Sequence, residues 1–132
     1  MAFEALQIVS RTVRSVADVS YVIRRQRRTG SRSIIFTFSQ AVIRKAGVKA
    51  MNPVPVGWQV DRGAGELRMI VKLQGERVVK PCGSGNRWMA QFTYAGEITE
   101  LIPEVNRMTA LNLIEVSGAG ITIDLPKKEA SE

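Results

Sequence analysis

The chain has 132 residues, of which 45% are hydrophobic, so it can build a core for one ordinary domain or two small ones, and wholesale disorder is excluded. Nineteen lysine and arginine residues outweigh twelve acidic ones, and the chain has no histidine and a single cysteine, Cys82. The usual general base is therefore missing, and neither an internal disulfide nor a Cys₂His₂ or Cys₄ zinc site can form. We expect a protein that is not an enzyme and that binds no metal or cofactor.

The positive charge is concentrated in the first part of the chain. Residues 1–50 contain ten basic and two acidic side chains, a net charge of +8, whereas residues 51–132 contain nine and ten, a net charge of −1. This asymmetry favours an anionic partner that docks on the first part of the chain. No apolar run reaches the ~20 residues of a membrane span, and the start does not resemble a secretory signal. Together with the lone cysteine, these features predict a cytoplasmic protein that does not use a membrane.

Residues 1–19 have the periodicity of an amphipathic helix. Leu6, Val9, Val13 and Val16 recur at spacings of three and four residues. This seam is a candidate surface for pairing with a second copy of the chain, which would give a homodimer or a higher homo-oligomer. The alternative is a helix that covers one side of a β-core, and the β-branched residues favour that arrangement.

Residues 20–73 are predicted to begin with a basic β-hairpin. A β-branched and aromatic run is followed by arginines at 20–28, a turn signal at 29–31 and an apolar run at 34–38. This order predicts two strands joined at an arginine-rich tip. A continuation of the first helix through Arg28 is the alternative for this segment.

A short helix and a second hairpin are predicted to complete this module. Ser39 is a candidate N-cap for a helix that Gly47 ends. Residues 55–60 and 67–72 are two further strand candidates on either side of a glycine-containing turn.

Residues 74–127 are predicted to be a second, diverged copy of this module, followed by a short polar tail at 128–132. The turn signal at 29–32 recurs at 84–87, and the aromatic run at 36–38 resembles 92–94. The common order of these features favours a tandem internal repeat. A helix at 98–102 and a hairpin of strands at 111–116 and 121–125 are predicted to follow.

The first module resembles the AbrB/MazE swapped-hairpin DNA-binding family. The resemblance is carried by Val42-Ile43-Arg44-Lys45-Ala46-Gly47-Val48, which is similar to the short helix of that family, and by the strands on either side of it. It implies a mainly β fold with short helices (α+β), in which an AbrB-like swapped-hairpin β-barrel is built as a tandem repeat and carries the N-terminal helix outside. It also implies that basic residues of the first hairpin and of the helix contact DNA.

The cations of the first module are the candidate DNA-binding residues. A two-stranded ribbon can enter the major groove, where arginine offers two donors to a guanine edge, while other basic side chains contact phosphates. The predicted contacts are Arg24, Arg25, Arg27, Arg28, Arg32, Arg44, Lys45 and Lys49. Strand alternation would place Arg25 and Arg27 on one face and Arg24 and Arg28 on the other. The second module has Glu97 and Glu100 where the first has a basic helix, so it is expected to be mainly structural.

These features predict a protein that binds double-stranded DNA with full or partial sequence specificity, as a transcriptional or nucleoid-type regulator. The alternative is a protein-interaction module, antitoxin-like or a phage-type adaptor, that binds an acidic protein partner. Single-strand binding is disfavoured because Phe36, Phe38, Phe92 and Tyr94 alternate like core residues and not like stacking platforms among cations.

Overall fold

A computed structural model describes residues 4, 18–48, 52–71, 77–82, 87–118 and 120–126 of the protein. Most of the predicted N-terminal helix, with its seam of Leu6, Val9, Val13 and Val16, lies outside these residues, and so do Lys49 and the polar tail. In the described part the fold is mainly β with two short helices, as the sequence predicts. No helix of that part is long and apolar enough to cross a membrane.

The described elements form one antiparallel sheet that is almost closed on itself. In chain order they are β1 (Val19–Arg25), β2 (Arg32–Ser39), α1 (Gln40–Lys45), β3 (Val54–Asp61), β4 (Glu66–Val71), β5 (Arg77–Cys82), β6 (Arg87–Thr93), α2 (Glu97–Leu101), β7 (Thr109–Leu111), β8 (Leu113–Ser117) and β9 (Gly120–Asp124). The strand order is β7-β1-β2-β6-β5-β3-β4-β9-β8. The two end strands are separated along the chain by Asn112 alone, so the sheet bends into a nearly closed, barrel-like shape.

The first predicted hairpin is confirmed. β1 and β2 pair antiparallel from Val19 opposite Phe38 to Arg25 opposite Arg32. Residues 19–25 therefore form a strand, and a helix running through Arg28 is wrong for this segment. The strand ends at Arg25, so the later arginines lie in a turn.

The short helix after β2 begins where the sequence indicates. Ser39 has an extended backbone, and its hydroxyl accepts the N–H of Val42 at 3.4 Å, as an N-cap does. The helix ends at Lys45, and Gly47 follows with a φ of +91°, a left-handed conformation that favours glycine. Val42 and Ile43 are buried and hold the helix against the sheet.

The predicted closing hairpins are present, but the last one is interrupted. β3 and β4 pair around the turn at 62–65, close to the predicted bounds. The strand predicted at 111–116 is broken at Asn112 because its two parts have different partners: β7 pairs with β1, and β8 pairs with β9. A register irregularity between Leu113 and Glu115 accompanies the change of partner.

Pairs of strands from the two halves of the chain alternate around the sheet and share one core. β2 pairs with β6, β3 with β5, β4 with β9, and β1 with β7. The buried cluster therefore contains side chains of both predicted modules, among them Phe36 and Phe38 from the first and Trp88 and Tyr94 from the second. The predicted core position of Phe36, Phe38 and Tyr94 is confirmed.

Candidate nucleic-acid interface

The turn between β1 and β2 is braced by its own hydrogen bonds. The N–H of Gln26 donates to the carbonyl of Ser31 at 2.8 Å, and the N–H of Gly30 donates to the carbonyl of Gln26 at 2.9 Å. Gly30 has a φ of +68°, which glycine adopts without strain. The hydroxyls of Thr29 and Ser31 are 2.8 Å apart, and the Thr29 hydroxyl donates to Oε1 of Gln26 at 3.3 Å. The turn therefore has one well-defined backbone path.

Four exposed arginines surround this braced turn. We name Arg24, Arg25, Arg27 and Arg28 the arginine turn. None of the four has an ion-pair partner in the part of the chain that the structure describes. The predicted alternation of faces is wrong for Arg27 and Arg28, because they follow the end of β1 and strand geometry no longer applies. Four exposed guanidinium groups therefore lie in and beside one turn at this end of the sheet.

Arg32 lies beside the arginine turn but already has partners. Its guanidinium pairs with the carboxylate of Glu104, which is 72 residues away in sequence. It also lies over the ring of Tyr94, 5.3 Å from the ring centroid. Arg32 therefore links β2 to the segment after α2, and a phosphate would have to compete with Glu104 for its N–H groups.

Two tyrosines hold the segment after α2 across this end of the sheet. The Tyr94 hydroxyl donates to the carbonyl of Ile102 at 2.5 Å, and the Tyr21 hydroxyl donates to the carbonyl of Pro103 at 3.1 Å. Burial raises the pKa of Tyr94, with Glu104 adding to the increase, while the nearby Arg32 lowers it. Burial also raises the pKa of Tyr21. Both hydroxyls are therefore held in their neutral, donating form.

These tyrosines predict an alkaline limit to stability. Their pKa values in the folded chain lie above the ordinary 10.0, so ionisation above that pH favours the unfolded state. Their contribution is fully present below pH 10.0 and is lost as the pH rises through the folded-state values. We expect the melting temperature to fall above about pH 10 and to fall less steeply in a Tyr21→Phe, Tyr94→Phe double variant. Equal slopes in the two proteins would show that other groups control alkaline unfolding.

The cations of α1 lie at the far end of β2 from the arginine turn. Arg44 and Lys45 are exposed in the last turn of the helix, which starts immediately after Ser39. β2 has eight residues, so Arg32 and Ser39 are about 24 Å apart at ~3.4 Å per residue. The described residues among the predicted contacts therefore fall into two groups at opposite ends of β2, and Lys49 lies outside the described residues.

Sequence reasoning missed one cation at the helix end. Arg87 is exposed and lies directly opposite Ser39 across the β2–β6 pair. We name Arg44, Lys45 and Arg87 the helix-end cluster. The available signal was the repeat offset, which matches Arg87 with Arg32, but the pairing of β2 with β6 was needed to bring it next to the helix.

The glutamates of the second helix make ion pairs within the protein. Arg62, in the β3–β4 turn, lies 2.7 Å from Glu97 and 4.0 Å from Glu100. Glu104 engages Arg32 in the same way. All of these side chains are substantially exposed, so each pair contributes little stability. No group of acidic, cysteine or histidine side chains suited to a metal occurs among the described residues.

Comparisons of the chain with protein-family models, with curated proteins and with solved structures give no match. The function is therefore argued from the geometry of the two basic groups and their surroundings.

Proposed function

We propose that the protein binds double-stranded DNA and that the arginine turn is its principal contact. The observation that carries the proposal is the group of four exposed arginines on a hydrogen-bonded hairpin, without an acidic partner in the described part of the chain. Such a group attracts a polyanion, and its binding releases condensed counterions.

The hairpin is narrow enough to enter a DNA groove, which a flat protein surface cannot do. A two-stranded ribbon fits the major groove, and arginine can donate two hydrogen bonds to a guanine edge there. The braced turn limits the backbone entropy lost on binding, because its path is already fixed by hydrogen bonds. In this arrangement one or two arginines read base edges, and the others contact phosphates and set the register.

The strand pairing supports a finer proposal, that the fold is an AbrB-like tandem repeat with exchanged hairpins. The order strand, strand, helix, strand, strand occurs first in β1–β4 and again in β5–β9 when β7 and β8 count as one interrupted strand. Each closing hairpin pairs with the first strand of the other half: β3 with β5, and β7 with β1. That exchange is what a swapped-hairpin dimer fused into one chain would have. A transcriptional or nucleoid-type role in the cytoplasm is part of this proposal.

A homodimer is also part of the proposal, although the core does not require one. The sheet nearly closes within one chain, so a second copy is not needed to complete the core. A second copy would extend the DNA contact, and the seam of Leu6, Val9, Val13 and Val16 is the surface that the sequence predicts for pairing with it. Light scattering after size-exclusion chromatography, with and without duplex DNA, measures the copy number directly.

The test of the function is the salt dependence of binding to duplex DNA. With about six phosphate contacts, the logarithm of the association constant should fall by roughly 5 per tenfold rise in salt concentration. Fluorescence anisotropy with random and selected duplexes measures both this slope and the sequence preference. Tight binding that ignores ionic strength would contradict the proposal. Recovery of one stoichiometric acidic protein, unaffected by nuclease, would favour the protein-interaction alternative.

A further inference from the structure

A groove lies where β2, β6 and β5 run side by side, and its residues come from both faces of the sheet. Lys80 and Gln91 alternate with buried positions and face outward, whereas Arg77 and Phe92 share the face of the buried Val79 and Ala90. Its volume is about 360 Å³, and eight described residues line it. They are Ser33, Arg77, Val78, Lys80, Met89, Gln91, Phe92 and Thr93. Two of them are cations, three carry neutral hydrogen-bonding side chains and none is acidic, so the groove has the chemistry of a site for an anion.

The two cations of the groove have N–H groups that are available to an anionic ligand. Arg77 and Lys80 are exposed and make no ion pair with a described residue. The Arg77 guanidinium lies over the ring of Phe92, 5.7 Å from the ring centroid. A cation–π attraction of this kind holds the guanidinium beside the ring, and arginine has five N–H donors with which to bind a further partner.

The groove begins next to the arginine turn. Arg24 lies opposite Ser33 on β2, and Ser33 lies opposite Thr93 on β6, so these three residues form one row across the sheet. From β1 to β5 there are three strand spacings, which amount to about 14 Å at ~4.8 Å each. That width equals the axial rise of about four nucleotides of one DNA strand at ~3.4 Å each.

The groove also leads toward the helix-end cluster. Thr93, Gln91, Met89 and Arg87 are alternate residues of β6, and alternate residues share a face of the sheet. The buried positions of β6 are Trp88 and Ala90, so this face is the outer one. The described residues along this path carry no acidic side chain, and the path runs between the two basic groups that β2 keeps apart.

We infer that this groove holds a stretch of DNA backbone, with Arg77 and Lys80 bound to phosphates of the same duplex that the arginine turn enters. The inference rests on the proposed function and extends it, because the second half of the chain then contributes DNA contacts through its strands although its helix is acidic. Ser33, Gln91 and Thr93 supply neutral hydrogen bonds to phosphate or sugar oxygens along this path.

The test compares full-length variants by fluorescence anisotropy, using a labelled duplex of about 20 base pairs at several salt concentrations. Lys80→Gln and Arg77→Gln are each expected to weaken binding roughly five- to tenfold at about 100 mM salt and to lower the salt slope by about 0.9. The double variant should lower the slope by about 1.8. Lys80→Arg, which keeps the charge, should retain the affinity of the wild type.

Arg68→Gln is the matched control, because Arg68 is an exposed cation on the outer face of β4, two strands beyond β5 and outside the groove. It should leave both affinity and slope unchanged. If the wild type binds with a steep salt dependence and the Arg77/Lys80 double variant binds equally well, the groove is rejected and the proposed function stands. If the wild type does not bind duplex DNA at all, the inference and the proposed function both fail.

Discussion

Replacing Arg25, Arg27 and Arg28 together with alanine is expected to lower the affinity for duplex DNA by roughly 500-fold at about 100 mM salt, if each residue contributes about 0.9 to the salt slope. The three side chains are exposed and make no ion pair with described residues, so the protein loses little when they are removed. The turn itself depends on hydrogen bonds of Gln26, Thr29, Gly30 and Ser31, which the substitutions leave in place. The melting temperature should therefore change by no more than about 2 °C.

The control for this variant removes the same number of charges at the other end of the sheet. Arg44→Ala, Lys45→Ala and Arg87→Ala give the same change in net charge, since each set removes three cations. We expect this second triple variant to lose clearly less affinity than the first. Equal losses in both would show that binding follows net charge and not a defined surface. An unchanged affinity in the first variant would remove the arginine turn from the proposal.

The features that the sequence predicts well are local ones. Ser39 caps α1 through a hydrogen bond to a residue three positions away, and the two hairpins of the first module join neighbouring segments. Each depends on a few consecutive residues, so composition and spacing are sufficient to predict it. The mainly β character follows from the same runs of β-branched and aromatic residues.

The separation of the basic residues into an arginine turn and a helix-end cluster follows in part from the sequence. A helix that starts directly after a strand begins at the end of that strand, and a hairpin tip lies at its beginning. Because Arg32 and Ser39 stand at the two ends of the eight-residue β2, the arginine turn and α1 have to be far apart. Cations that are close in sequence are therefore far apart in space when an extended strand lies between them.

Other features depend on pairing between distant segments and leave no local signal. Arg32 meets Glu104, and β2 meets β6, only after the two halves of the chain have folded together. The break at Asn112 arises because one segment must pair with β1 on one side and with β9 on the other to close the sheet. A periodicity reading assigns one continuous strand there, since nothing in the composition indicates a change of partner.

The groove on β2, β6 and β5 belongs to the same class. Arg77 and Lys80 stand in the part of the chain that has little net charge. The groove forms only because strands β2 and β6 contribute the residues beside them. The charge asymmetry of the sequence directs attention to the first module alone, whereas the proposed groove takes its cations from the second.

Phe36→Ala is expected to destabilise the whole protein by about 3–5 kcal/mol, a large part of the stability of a typical domain. Phe36 is fully buried, and its ring lies 4.9 Å from that of Trp58 and 5.9 Å from that of Phe92, between centroids. These neighbours come from β3 and β6, so the cavity would open between strands of both halves. Phe36→Leu, which keeps most of the volume, should cost clearly less.

The number of steps in the unfolding transition is as informative as its midpoint. Because pairs of strands from the two halves alternate around one core, chemical unfolding should be a single transition in the wild type and in Phe36→Ala. Trp58 in the first half and Trp88 in the second provide a fluorescence signal, and far-ultraviolet circular dichroism reports the sheet. Coincident curves that shift together indicate one cooperative unit. Two separated steps, with Phe36→Ala shifting only one of them, would mean that residues 20–73 and 74–127 fold independently. The exchanged-hairpin arrangement would then be untenable, since neither half could complete its sheet alone.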